Sequence, residues 1–344
     1  MSKGISLFCG KTMSENKTDV SAIIADLEKQ FNGDMNHDVE VMRSYCRSLE
    51  RTNENLAIVT AIGKYVSEKF PEADAVKEAK KFEETFVHFQ ELIEEGQKCM
   101  HEKKYEDALA KFREVIGDVK PATDDSKYYC SFSHPFEEML FRTGYKEGKE
   151  IERISTLPET LYYQCGVALL ELGRYAEAKA EYMNALKLNP VSARTHFELI
   201  TLAKMQKNYD EARRLLKEVY PCLFTRIMLA RFYREHAGLA LIDEKYDLAR
   251  ALIYLSLDYE DTPQARAQLN SLAKHRGVDL SKPSAEAVKQ KLHEYDIPCG
   301  PAQSVYNLAL YIGNQMKKAY PDVAKMAFGI AYDITHYKPL LKEL

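Results

Sequence analysis

The sequence predicts an all-α fold, a stack of antiparallel helical hairpins flanked by irregular helical caps. Three observations carry that expectation. Apolar residues recur three to four apart along most of the chain, and no stretch alternates apolar and polar residues with period two. One stretch, Glu159 to Pro190, has the length and punctuation of a complete helix–turn–helix unit. A second unit follows in step, since Tyr175 and Tyr209 lie 34 residues apart.

The first unit reads ETLYYQCGVALLELGRYAEAKAEYMNALKLNP. Tyr162, Cys165 and Leu169 form an apolar stripe with the small residue Gly166 among them. Gly173 breaks that helix, and Tyr175 opens another whose inner face carries Ala178, Tyr182 and Ala185. Asn189-Pro190 ends it, because proline cannot continue a helix and disfavours αR in its predecessor. In size and in its small/large pattern this unit resembles a tetratricopeptide repeat. The resemblance implies a right-handed α–α superhelix, a TPR-like solenoid, acting as a protein-binding scaffold.

In chain order, residues 1–16 are polar and aperiodic and are expected as a flexible tail; Met13 is an alternative start. Residues 17–86 are expected as an N-terminal helical cap of three helices. Their stripes are Val20, Ile23, Ile24 and Leu27; Val39, Met42, Tyr45 and Cys46; then Leu56, Ile58, Val59, Ile62, Tyr65 and Val66. Asn32-Gly33 and Pro71 punctuate them. Such end units cover the face of a stack that has no neighbour.

Residues 87–276 are expected as the repeats. A weak first hairpin has Leu92, Gly96 and Cys99 before its turn, and Tyr105, Ala108, Phe112 and Val115 after it. Residues 120–158 interrupt the pattern with Tyr128, Tyr129, Phe132, Phe136, Leu140 and Phe141. So many aromatics predict a folded excursion, helical from Pro135 to about Arg142. After the best unit and its successor comes a fourth hairpin. There the step from Tyr209 to Tyr246 is 37 residues, which predicts a longer turn or loop. A helix over Gln264–His275 and a linker over Gly277–Pro283 follow. Residues 277–344 are expected as a C-terminal helical region.

Composition narrows the function classes. Hydrophobic residues make up 45% and charged residues 29%, which marks a folded chain. Lys+Arg number 48 against Asp+Glu 52, so no basic excess points to nucleic acid. No apolar run approaches the roughly 20 residues that span a bilayer, so membrane insertion is not expected. Seven scattered cysteines without a CxxC pair indicate neither a zinc site nor a thioredoxin-like motif, and favour a reducing, cytoplasmic compartment. No metal or cofactor is expected: HExxH and glycine-rich phosphate motifs are absent.

In the family the chain resembles, residues one turn from the packing stripe of each first helix face a concave groove. Carried over, these are Thr160, Tyr163, Val167 and Leu170; Arg194, Phe197, Thr201 and Lys204; then Arg231, Arg234, Gly238 and Leu241. Of these, Tyr163, Val167, Arg194, Phe197, Thr201, Lys204, Arg231 and Arg234 are the expected partner contacts. The groove is then apolar at one end and basic at the other, suiting a peptide with apolar anchors and a carboxylate. Relatives that hold the C-termini of chaperones use lysines and asparagines where this chain has Tyr163 and Val167, which argues against that role.

The expected function is a non-enzymatic scaffold binding protein or peptide. The alternative is a peptide- or signal-responsive regulator in which residues 120–158 close over the groove as a lid. A catalytic reading rests only on Cys130 and His134, four residues apart and without an accompanying oxyanion or glycine-loop motif.

Overall fold

A computed structural model of the chain describes residues 20–50, 52–118, 124, 126–144, 148–155, 157–275 and 277–344. The expected tail over residues 1–16 lies outside the described residues. These fall into two compact units, one ending at Gln97 and the other beginning at Lys98.

The first unit holds α1 (Val20–Glu28), α2 (Met35–Ser48), α3 (Asn53–Lys69) and most of α4 (Asp74–His101). Its core gathers Leu27, Val39, Met42, Ile58, Ile62, Val66 and Val76. The Asp34 side chain caps α2 by accepting from the His37 amide, and Thr52 caps α3 in the same way. Leu56, expected inward, is exposed, because the buried face of α3 runs through Ile58, Ile62 and Val66. The 28-residue α4 was not legible as one helix: in its first half only Val76 is buried, and Phe82, Phe86 and Val87 are exposed.

The second unit continues with α5 (Tyr105–Asp118), then β1 (Lys127–Cys130), α6 (Pro135–Gly144) and β2 (Glu150–Arg153). Three hairpins follow. They are α7 (Leu157–Glu171) with α8 (Tyr175–Leu188), α9 (Ala193–Met205) with α10 (Tyr209–Val219), and α11 (Arg226–Ile242) with α12 (Tyr246–Tyr259). Among the described residues the chain is an all-α, TPR-like solenoid apart from two four-residue strands.

One turn recurs. Lys103, Gly173, Lys207 and Glu244 each stand two residues before the tyrosine that opens the next helix, and each has a φ between 57° and 73°. The next residue's amide reaches back to a carbonyl five residues earlier: Lys104 to Cys99, Arg174 to Leu169, Asn208 to Ala203, Lys245 to Ala240, at 2.8–2.9 Å. This is the Schellman closure, in which a left-handed residue lets the chain satisfy the last helical carbonyls. Only one of the four positions is glycine, so the motif is easily missed by composition. The 37-residue step to Tyr246 leaves this turn unchanged, and of the expected longer turn or loop it is the loop that is found. The extra residues lie in the 3₁₀ connection around Tyr220–Cys222 and in α11, which has 17 residues against 13 in α9.

Small residues set how closely the helices of a hairpin approach. A Cβ on Gly166 would sit within the ring of Tyr182 across the α7–α8 interface. Further on, α13 (Pro263–Leu272) packs on α11 and α12, and α14 (Ala285–Glu294) packs on α12. Then α15 (Gln303–Met316) and α16 (Pro321–Thr335) form a hairpin with the same device, because a Cβ on Gly313 would meet the Phe328 ring. This hairpin folds back toward α11, where the Asp333 carboxylate accepts from the Arg226 amide at 2.7 Å.

The excursion is a βαβ unit. β1 and β2 pair in parallel, Lys127 opposite Glu150 and Cys130 opposite Arg153, and α6 supplies the crossover that parallel strands require. The helix falls where the sequence predicts it; the strands are too short for alternation to show. α7 packs directly on α5, so the unit loops out without breaking the stack.

Candidate functional site

The first helices of the hairpins, α7, α9 and α11, carry the expected groove residues. Thr160, Tyr163, Val167 and Leu170 are half-buried, as are Arg194, Thr201, Lys204, Arg231, Arg234, Gly238 and Leu241. Phe197 departs from that pattern: it is buried, and the Arg231 guanidinium lies over its ring, 4.8 Å from the centroid. Arg194 lies over the Tyr163 ring in the same way at 4.6 Å. Each arginine thus stacks on an aromatic of the preceding hairpin, a contact worth roughly 0.5–2 kcal/mol depending on desolvation.

Carboxylates complete this row, and the sequence reading passed over them. Glu159, fully buried at the start of α7, pairs with Arg194 and accepts from the hydroxyls of Ser133 and Ser192. Glu198 pairs with Arg231 at 3.0 Å, and Glu235 pairs with both Lys204 and Arg231. The expected basic end is therefore a ladder of ion pairs, and among the described residues Arg234 alone of its four cations has no ion-paired carboxylate. Burial lowers the pKa of Arg234, and its Nη1 has no hydrogen-bond partner among the described residues. The signal was present in the spacing: Glu159 to Arg194 and Glu198 to Arg231 are 35 and 33 residues, close to one repeat.

The βαβ excursion docks on the turn between α8 and α9. The Ser131 amide donates to the Leu188 carbonyl at 2.9 Å, and Cys130 and Phe132 pack with Phe141, Ile151 and Val191. Glu137 accepts from the amides of Ser133 and His134 and from the Asn189 side chain. Burial raises its pKa, with these three donors pulling the other way. The rings of His134 and Phe136 lie 5.1 and 5.3 Å from that of Phe224, in the connection before α11. A lid closing over Tyr163 and Phe197 would have to pull these buried groups out of the hairpin edge.

Cys130 is buried, which pushes its thiol up to about 12. A nucleophile needs the opposite shift. The His134 ring nitrogen Nδ1 accepts from the Phe136 amide, opening α6. Among the described residues no cluster of three or more His, Cys, Asp or Glu side chains could hold a metal ion. No helix there is long and apolar enough to cross a membrane.

These hairpins define a helical-repeat protein of the class that binds other proteins or peptides. A family model described as tetratricopeptide repeat matches residues 163–222, from α7 through the connection after α10. The chain is a protein that carries this repeat. No curated protein matches it.

Proposed function

We propose that the chain is a non-enzymatic scaffold that binds a protein or peptide along the row built by α7, α9 and α11. Tyr163, Val167, Arg194, Phe197, Thr201, Lys204, Arg231 and Arg234 are the contacts. One observation carries this reading: three consecutive first helices present a row, half-buried except at Phe197, in which Arg194 lies over the Tyr163 ring and Arg231 over the Phe197 ring. Arg231 and Lys204, whose carboxylate partners are partly exposed, exchange them for those of a ligand at little net cost, while Arg194 stays paired with the buried Glu159. The Phe197 ring beneath Arg231 then becomes an apolar anchor site. Excursion and groove are joined at Glu159, so the excursion fixes the first helix of the best-formed hairpin instead of gating it.

The test is capture of partners from the native cell extract, comparing the parent chain with Arg231→Ala/Arg234→Ala and with Tyr163→Ala. Loss of the same partner in both variants, with helicity unchanged by circular dichroism, supports groove binding. Undiminished capture by both variants defeats the assignment.

A further inference from the structure

α11 has a second working face. Phe232, His236, Leu239 and Ala240, offset by helical spacing from the Arg231 row, line a cavity of about 400 Å³. This lies within the roughly 300–1,000 Å³ typical of ligand pockets. The remaining walls come from Arg213 and Lys217 of α10, Tyr220, the turn residues Asp243 and Lys245, Leu248 of α12, and the segment Tyr295–Pro298.

The wall is fixed by hydrogen bonds. The Tyr233 hydroxyl accepts from the Gly300 amide at 2.7 Å and lies 3.2 Å from the carbonyl oxygens of Pro298 and Gly300. Tyr220 donates to the same Gly300 carbonyl. The Tyr295–Pro298 segment is thus held against α11 by the chain's own hydrogen bonds.

Inside, the imidazole of His236 packs edge-on against Phe232, 4.7 Å between centroids. Neither ring nitrogen has a hydrogen-bond partner among the described residues. A neutral imidazole offers one donor and one acceptor, so both remain for whatever enters. At the rim, Arg213 pairs with Asp243 at 2.7 Å, and Lys245 pairs with Asp243 at 3.0 Å while lying over the Tyr295 ring. Lys217 reaches Asp296 at 3.4 Å with both side chains mostly in solvent. Arg213 is held from both sides by Asp243 and, at 3.0 Å, by Asp210, which leaves Lys245 a shared partner and Lys217 only the exposed Asp296 pair, of the kind that contributes least.

We propose that this cavity is a second recognition site, which takes one aromatic side chain of an acidic peptide segment from a partner protein. The ring enters among Tyr220, Phe232 and Leu239, its neighbouring backbone meets His236, and flanking carboxylates pair with Lys217 and Lys245. The proposal rests on the reading of the chain as a peptide-binding scaffold but on none of the groove residues.

The probe is a capped, fluorescently labelled pentapeptide with phenylalanine between two aspartates on each side. Binding is followed by anisotropy, and by the His236 imidazole resonance, which a His236→Gln variant assigns. Saturable binding that shifts this resonance is expected. Alanine in place of the phenylalanine, or the double variant Lys217→Glu/Lys245→Glu, is expected to weaken binding at least tenfold. Ala240→Trp, which fills the cavity, is expected to abolish it; should that variant unfold, the surface charge reversal still decides. Equal binding of the alanine probe, an unmoved His236 resonance, or no saturable binding at millimolar probe would overturn the proposal. If Tyr163→Ala/Arg231→Ala abolishes binding while the cavity variants do not, the probe is a groove ligand. The cavity proposal then falls and the scaffold reading stands.

Discussion

The carboxylate of Glu137 accepts a hydrogen bond from the side-chain amide of Asn189 at 2.9 Å, joining the excursion to the turn that ends the best-formed hairpin. Both residues are buried. Asn189→Ala removes one of three donors that offset the burial of this carboxylate, and is expected to destabilise the chain by about 1–3 kcal/mol near neutral pH. Burial raises the Glu137 pKa, so its contribution favours the folded chain below the unfolded value and is lost as pH rises through the folded one. The Asn189→Ala penalty is therefore larger at pH 7 than at pH 4, below the ordinary glutamate value, where a protonated carboxyl needs fewer donors. Urea denaturation at the two pH values checks this; a penalty independent of pH would show that Glu137 does not sense the amide.

Gly166 and Gly313 lie where their hairpins close most tightly, against Tyr182 and Phe328. A methyl group at either position must displace a buried ring. Gly166→Ala and Gly313→Ala are each expected to cost about 1–3 kcal/mol, despite the higher helix propensity of alanine. Pairing Gly166→Ala with Tyr182→Leu should recover part of the loss, which thermal melts of the single and double variants will show. A stabilising Gly166→Ala would mean that the helices move apart freely.

Much of this architecture was legible in the sequence because tetratricopeptide packing is periodic. Ala178, Tyr182 and Ala185 are buried as the stripe predicts, and the helices of the best hairpin end where Gly173 and Pro190 indicate. Three features were not legible, each for a physical reason. Strands of four residues are too short to display alternation, so β1 and β2 were invisible. The left-handed turn residues Lys103, Lys207 and Glu244 carry no glycine signal, because the Schellman hydrogen bonds hold the conformation. Third, Arg194 and Arg231 read as free charge because a helix-face argument sees one helix at a time. Their partners Glu159 and Glu198 stand on the preceding hairpin, about one repeat earlier.

The Arg194–Tyr163 stack and the Arg194–Glu159 pair can be separated experimentally. Arg194→Lys keeps a cation near Glu159 but loses the planar guanidinium over the ring. It is expected to cost about 1 kcal/mol. Arg194→Ala leaves the buried Glu159 with only the hydroxyls of Ser133 and Ser192, and is expected to cost about 2–3 kcal/mol. Guanidinium denaturation of the two variants tests the order. Equal losses would mean that stacking, not charge, dominates at this position.

His236 ties stability to pH in the opposite sense to Glu137. Burial drives its pKa down to about 4, with Arg213 and Lys217 adding to the cost of protonating it. Asp243, Asp296 and Lys245 complete the charges around the cavity. A histidine with a depressed folded pKa contributes stability that is present above the unfolded value, near 6.5. As pH falls from there toward 4, the unfolded chain gains a proton that the folded chain refuses, and up to about 3 kcal/mol is lost. His236→Gln keeps the polarity and removes the titration, so the variant should lose distinctly less stability than the parent between pH 6.5 and 4.5. Identical pH profiles for the two proteins would place the His236 imidazole in contact with solvent, where it could not sense the contents of the cavity.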